Sequence, residues 1–131
     1  MDGDDVMRET KTARIELRDD GVLTVRIRKS AHQTLADAEQ NLDAAIAESG
    51  GQRRPILVDI CGARPLDAEV RHHYSGQVLV DRFVAFGLLI DANPLGRMIG
   101  NVYLLVARPG IPTQLFTDEP RAVSWLRGHI A

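Results

Sequence analysis

The stretch Pro55-Ile56-Leu57-Val58-Asp59-Ile60 decides the fold class of this 131-residue chain. Asp59 is its only charged residue, so both alternating faces of the stretch are almost wholly apolar. That pattern is typical of a strand buried on both faces of a parallel sheet. Parallel strands need long crossover connections, usually helical, so we expect strands and helices to alternate around this stretch.

Upstream of this strand, the sequence predicts a β-hairpin and a helix. Residues 14–18 and 22–27 alternate polar and apolar side chains on either side of Asp19-Asp20-Gly21, a favoured hairpin turn. Thr34 is expected to cap the following helix, with Asp37 in its first turn, and Gly50-Gly51 to end it.

Downstream, three more helices and two more strands are expected. A second helix should run from Asp67 to about Leu79, before a second buried strand at 82–90. Asn93-Pro94 is the favoured start for a third helix. Pro112 indicates that the last strand, 111–116, lies at an edge. Apolar residues recur at helical spacing in the third helix, at Leu95, Met98, Ile99, Val102, Leu105 and Val106. In the last helix, Val123, Leu126 and Ile130 should face inward.

The predicted order of elements is therefore ββαβαβαβα. A hairpin followed by alternating helices and strands indicates a single α/β domain with a mostly parallel sheet of four or five strands and helices packed against it. We expect this domain to span residues 13–131 and residues 1–12 to form a flexible tail.

Composition and charge exclude several classes of protein. The formal net charge of −2 gives no reason to expect a nucleic-acid partner. The longest uncharged apolar run, 83–90, is far shorter than the roughly 20 residues that a membrane span needs. A single cysteine, Cys61, excludes a disulfide framework, and the acidic start lacks a secretion signal, so we expect a cytoplasmic protein.

Three segments resemble the SpoIIAA-like or STAS domains, found in sulfate transporters and anti-sigma-factor antagonists. They are residues 56–62, residues 94–109, and residues 112–119 with Ala122, Trp125 and Leu126. The second and third resemble a small bacterial branch of uncharacterised STAS-like proteins. The resemblance extends over about residues 13–130 and implies the SpoIIAA-like fold.

The same resemblance bears on regulation. Anti-sigma-factor antagonists carry an Asp-Ser-Ser-Gly-like motif, whose phosphorylated serine switches partner binding, where this chain reads Asp67-Ala68-Glu69-Val70. Ala68, at the phosphoacceptor position, has no hydroxyl group. The resemblance therefore implies a non-enzymatic protein-interaction or regulatory module without this phosphorylation switch. Its partner would be another protein or a second copy of the chain, most simply as a homodimer.

Polar residues at the carboxyl ends of the predicted strands suggest an alternative function. Ligands of open α/β sheets bind at these ends, where helix N-termini attract anions. The chain would then be a carrier or sensor of a small anionic ligand; alternatively, several of these residues only cap helices. The candidate ligand-binding residues are Asp59, Arg71, Asp91, Arg97 and Asn101.

The third helix also offers a candidate interface. Gly96 and Gly100 are four residues apart and would let another backbone approach closely, with Tyr103 nearby. A contact between two subunits would use this face. The alternative is an exposed edge of an amphipathic helix that packs on the chain's own sheet.

No catalytic motif stands out in the sequence. Cys61 lies after a buried strand, and His72, His73 and Glu69 follow on the next helix, but a lone cysteine is more often a small buried apolar residue. Neither a glycine-rich phosphate loop nor a complete metal-ligand set occurs, so we expect no enzyme activity, metal or cofactor. Whether Cys61 or Ser75 has a chemical or regulatory role stays open.

Overall fold

Six strands form one mixed sheet in the part of the chain that the computed structural model describes: residues 7–74, 77–107 and 110–130, without the side chains of 77–78 and 102–107. The strands are β1 (Met7–Glu9), β2 (Ala13–Leu17), β3 (Leu23–Ile27), β4 (Arg54–Asp59), β5 (Phe83–Leu89) and β6 (Thr113–Phe116). The helices are α1 (Leu35–Glu48), α2 (Ala68–Tyr74), α3 (Gln77–Arg82), α4 (Pro94–Ala107) and α5 (Glu119–Arg127). The sheet order follows the chain, antiparallel from β1 to β3 and parallel from β3 to β6. The predicted α/β class, and the edge position of the last strand, are confirmed.

The predicted hairpin is formed by β2 and β3, with Ile15 opposite Val25. Gly21 has a φ of +92°, which favours glycine in the turn. The Asp20 carboxylate accepts a hydrogen bond of 3.1 Å from the Val22 amide, and the Gly21 amide donates to the Arg18 carbonyl. The Asp-Gly sequence therefore closes the hairpin through its own backbone and side chain.

Strand β1 lies within the stretch that was expected to be a flexible tail. It pairs with β2 and makes the sheet six-stranded, so the tail prediction is wrong for residues 7–9, and residues 1–6 lie outside the described residues. The Arg8 guanidinium forms an ion pair of 3.1 Å with Glu48 at the end of α1. Three residues are too few to show an alternating pattern, so this strand has no local signal in the sequence.

The helices pack on both faces of the sheet. On one face, α1 and α2 cover a core that includes Ile15, Val25, Ile56 and Phe86. On the other face, α5 packs on β4, β5 and β6, and its buried Leu126 belongs to a smaller core with Leu57, Ala85 and Leu89. In the described residues, no helix is both long and apolar enough to span a membrane.

Helix α1 begins as the sequence predicts. The Thr34 hydroxyl accepts a hydrogen bond from the Asp37 amide, and the Asp37 carboxylate accepts one from the Thr34 amide, which forms a capping box. The helix ends before Gly50 and Gly51, both with positive φ. Helical residues Ala68–Tyr74 and Gln77–Arg82 cover the span expected for the second helix, from Asp67 to about Leu79, and residues 75 and 76 between them lie outside the described residues.

Helix α4 presents a different face to the sheet from the one expected. The Asn93 side chain caps it through a 2.7 Å hydrogen bond from the Gly96 amide, as predicted. Gly96 and Gly100 are buried, whereas Leu95 and Met98 on the same helix are 58% and 56% exposed. Two members of the apolar period of this helix, Leu95 and Met98, therefore face solvent. Ile130, after α5, is also exposed rather than inward, and Val102, Leu105 and Val106 fall outside the described side chains.

Candidate functional site

Two clefts flank α4 at the carboxyl ends of the parallel strands. Each has a cavity volume of about 170 Å³, counted as the space that the centre of a water molecule can occupy. This edge of the sheet is where open α/β folds bind ligands, so both clefts are candidate sites. They differ in chemistry because opposite sides of the same helix line them.

The first, which we call the polar cleft, lies between α4 and the end of β6. Its polar groups are the Arg97 guanidinium, the Asn101 amide and the Thr117 hydroxyl, all on exposed residues. Three apolar side chains complete its lining: Ile90, Leu115 and Phe116. Arg97 and Asn101 were predicted to share a face of the helix, and the structure brings them together here.

The second, which we call the apolar cleft, lies between α4 and the loop after β4. Leu95 and Ile99 line it from the helix, opposite Ile60 and Ala63. Leu95 and Met98 are three residues apart and therefore neighbours on the helix surface. We call this exposed pair the α4 ridge.

Asp59, a predicted ligand-binding residue, is occupied by its own chain. One carboxylate oxygen lies 3.2 Å from the Arg26 guanidinium, and the other accepts a hydrogen bond of 2.9 Å from the Cys61 amide. Arg26 also binds Glu119 at the start of α5 through two hydrogen bonds of 2.7 Å. These contacts lower the pKa of Glu119 and raise that of Arg26, in both cases chiefly through the shared hydrogen bonds. Asp59 therefore belongs to a structural ion cluster.

The other predicted ligand-binding residues are also separate from the polar cleft. The Asp91 carboxylate lies at the apolar cleft and accepts a hydrogen bond of 2.9 Å from the Gly62 amide. The Arg71 guanidinium donates a hydrogen bond to the carbonyl of Leu66, which lies just before α2. Neither residue lines either cleft. The structure thus unites only Arg97 and Asn101 of the five predicted residues. Thr117, which follows β6, joins them.

The two glycines of the predicted interface face their own chain, Gly100 at Leu115 of the sheet and Gly96 at Asp91 in the loop after β5. A Cβ atom on Gly100 would lie 3.0 Å from Leu115 and 3.1 Å from Ile90, and one on Gly96 would collide with the Asp91 carbonyl oxygen. Their close approach is therefore made within the chain, and the expectation that they meet a second subunit does not hold. The Tyr103 side chain lies outside the described residues.

Cys61 lies between two carboxylates and is half-buried. Burial raises the pKa of its thiol to about 12, and Asp59 and Asp91 add to this effect. A thiol with this pKa is protonated at neutral pH, and the thiolate is the reactive form. Among the described residues, no group of three or more metal-ligating side chains comes together, around His72 and His73 or elsewhere.

A buried polar cluster behind α1 was not predicted. The Asn41 amide donates to the Thr12 hydroxyl at 2.9 Å and to the Gln33 side-chain oxygen at 3.0 Å, and the Tyr74 hydroxyl also donates to that oxygen. Burial raises the pKa of Tyr74 to about 12. The adjoining core cavity has a volume of only about 20 Å³ on the same measure, which is room for about one water molecule. Asn41 is a polar residue beside the apolar Ala38, Leu42 and Ala45 on the buried face of α1, a local signal that could have revealed this cluster.

Comparison with known proteins places the chain in a family. Residues 15–130 match the model of a domain of unknown function, DUF7793. The chain belongs to this family. Among curated proteins, none matches it.

Two solved structures are similar to the chain. One is an uncharacterised protein of the DUF3478 family from Shewanella loihica PV-4, described as having a SpoIIAA-like fold. It shares 18% identity, covers 92% of this chain and 98% of its own, and superposes with a TM-score of 0.60. A protein of unknown function from Arthrobacter sp. FB24 shares 27% identity over 91% of this chain and 95% of its own, with a TM-score of 0.36. The first confirms the expected SpoIIAA-like fold.

Within this DUF7793 chain, Ala68 is the first residue of α2 and is exposed. The Asp67 carbonyl accepts hydrogen bonds from the Val70 and Arg71 amides, which places Asp67 at the start of the helix. The Asp67 carboxylate lies 3.3 Å from His32. The position that the STAS resemblance assigns to a phosphoserine is therefore accessible, but it carries only a methyl group.

Proposed function

We propose that the chain is a non-enzymatic protein-interaction module that binds its partner through the α4 ridge. The exposure of Leu95 and Met98, 58% and 56%, carries this proposal. Of the large apolar side chains among the described residues, only Ile130 is comparably exposed, at 41%. Contiguous exposed apolar side chains mark interaction surfaces more often than scattered ones do.

The surroundings of the ridge suit protein recognition. Leu95 also lines the apolar cleft, so a partner side chain placed against the ridge can enter a concave surface beside Ile99 and Ala63. Methionine is flexible and polarisable, and it adapts to the shape of a partner. A stable interface buries about 800 Å² on each partner, so the ridge would form the apolar centre of a larger contact.

Charge indicates the chemistry of the partner. Arg97 is the only charged residue of α4 and lies beside the ridge. Two copies joined ridge to ridge would bring two Arg97 side chains near each other, and the carboxylate at the apolar cleft, that of Asp91, already accepts a hydrogen bond from the Gly62 amide. The complementary partner is therefore a different protein surface that presents apolar side chains and a carboxylate. The homodimer expected from the sequence is the competing outcome.

The proposal includes a cytoplasmic location and control without phosphorylation at residue 68. The unpaired Cys61 suits a reducing compartment. Its raised thiol pKa argues against a nucleophilic role, which supports a non-enzymatic function. Because Ala68 cannot accept a phosphate, partner binding would respond to concentration or to another signal.

Photo-cross-linking in the native host tests this proposal. A photoreactive amino acid replaces Met98 in one variant and Glu39, exposed on α1, in a control variant. We expect one discrete adduct from position 98 only, and we expect Leu95→Asp to abolish it. The purified partner should then bind wild-type protein in vitro. An adduct of twice 14.5 kDa would show a second copy instead. Equal adducts from both positions would contradict the proposal.

A small anionic ligand is a second candidate function. The polar cleft favours it, because Arg97, Asn101 and Thr117 converge there within reach of one bound group.

A further inference from the structure

We infer that the polar cleft binds a carboxylate, held by Arg97, Asn101 and Thr117 over an apolar floor. The inference does not depend on the protein-interaction proposal, because the cleft can be tested with free acids. It rests on the composition of the cleft, on the Arg97 guanidinium, which pairs with no carboxylate of the described residues, and on the available space.

Arg97 is the positive charge of the cleft. No carboxylate of the described residues forms an ion pair with it, whereas Arg8, Arg18, Arg26 and Arg28 each pair with an acidic side chain. A guanidinium group presents parallel N–H donors whose spacing matches the two oxygens of a carboxylate. Arg97 is thus the anchor for an anion in this cleft.

The other two polar residues complete the recognition. Asn101 lies one helical turn after Arg97, and its amide can donate a hydrogen bond to the same anion. Thr117 follows β6 on the opposite wall and adds a hydroxyl donor. With donors from both walls, a bound carboxylate would join α4 to the end of β6.

The floor and the size of the cleft define the rest of the ligand. Leu115 and Phe116 are half-exposed and offer apolar contact to a short aliphatic stem. The cleft has a volume of about 170 Å³ on this measure, much more than the ~10–15 Å³ that one water molecule needs. The matching ligand is a carboxylate on a short aliphatic stem. It can be a free small acid, or a glutamate side chain of a protein bound to the α4 ridge.

Titrations followed by amide chemical shifts test the inference on the full chain. The probes are butyrate, its neutral amide butyramide, inorganic phosphate, and the capped peptide acetyl-Leu-Glu-Leu-amide. We expect butyrate to shift the Asn101 side-chain amide and the Thr117 backbone amide in a saturable way. Butyramide should shift neither, and phosphate should bind more weakly than butyrate.

Variants separate the cleft from general charge effects. Arg97→Gln should weaken butyrate at least tenfold and Thr117→Val several-fold. Arg82→Gln, which removes an exposed arginine at the amino end of β5, should change nothing. Tenfold tighter binding of the peptide than of butyrate would assign the carboxylate to a protein partner, and equal binding would assign it to a small acid. Shifts that persist in Arg97→Gln, tighter binding of phosphate, or no binding of either acid would overturn the inference.

Discussion

The Arg26 guanidinium lies against the Glu119 carboxylate in a bidentate pair with two N–O distances of 2.7 Å. The pair joins β3 to the first turn of α5, and Asp59 brings β4 into the same cluster. The cluster therefore connects β3 of the hairpin to the parallel strand β4 and to α5, the helix that packs on β4, β5 and β6.

Replacing Glu119 by Gln should destabilise the fold by about 1 kcal/mol at pH 7, since both residues are about one-third exposed and partly screened by water. The pKa of Glu119 is lowered in the folded state, so its contribution is present above the ordinary value of 4.5 and is lost as the pH falls below it. Urea unfolding at pH 7 and at acid pH measures the difference.

Glu39→Gln provides the control, because Glu39 is exposed on α1. It should change the free energy of unfolding by less than about 0.5 kcal/mol at either pH. Equal losses in both variants at pH 7 would show that the effect comes from net charge and not from the pair with Arg26.

Tyr74 should titrate well above an ordinary tyrosine. Burial raises its pKa from 10.0 to about 12, so the folded protein keeps the phenol protonated over a range where the unfolded chain ionises. Its contribution to stability is complete below pH 10 and decreases as the pH rises toward 12. Tyr103→Phe leaves Tyr74 as the only tyrosine, and its phenolate absorbance then reports one group. Ionisation near pH 10 in the folded state would contradict the buried cluster.

Gly96→Ala should destabilise the chain and leave its oligomeric state unchanged. The new Cβ would meet the Asp91 backbone oxygen, which cannot move as a side-chain end can. Overpacking typically costs about 1–3 kcal/mol, and a clash with backbone lies at the upper end of that range. Because alanine regains about 1 kcal/mol of helix propensity, we expect a net loss of about 2 kcal/mol.

Thermal unfolding and size-exclusion chromatography measure both effects of Gly96→Ala. Gly110→Ala is the control, because its Cβ would lie 3.5 Å from Val80, an ordinary contact. A stabilised variant that dissociates from an oligomer would restore the interface role that the sequence suggested for Gly96.

Local patterns were sufficient to predict much of the fold. The Asp-Gly hairpin, the Thr34 cap and the apolar strand at 55–60 each depend on neighbouring residues, and the structure contains all three. Strand β1 has only three residues and owes its place to pairing with β2. Its short sequence could not reveal that tertiary contact.

The site was predicted less well because its contacts are distant in sequence. The apolar stripe of α4 predicts a helix, but the close approach of Gly100 to Leu115 and Ile90 decides which face meets the sheet. That orientation leaves Leu95 and Met98 exposed. Asp59 was expected to be free for a ligand, but it pairs with Arg26, 33 residues away. The grouping of Arg97 and Asn101 was predicted correctly because residues four apart lie on the same face of a helix.

The role of the α4 ridge is tested most directly by the affinity of the purified partner for wild-type protein and for the double variant Leu95→Asp/Met98→Asp. Both side chains are more than half exposed, so the double variant should keep its free energy of unfolding within about 0.5 kcal/mol per substitution. We predict that it loses at least tenfold in affinity, while Glu39→Gln binds as the wild type does. Unchanged affinity in the folded double variant would contradict an interaction surface on α4.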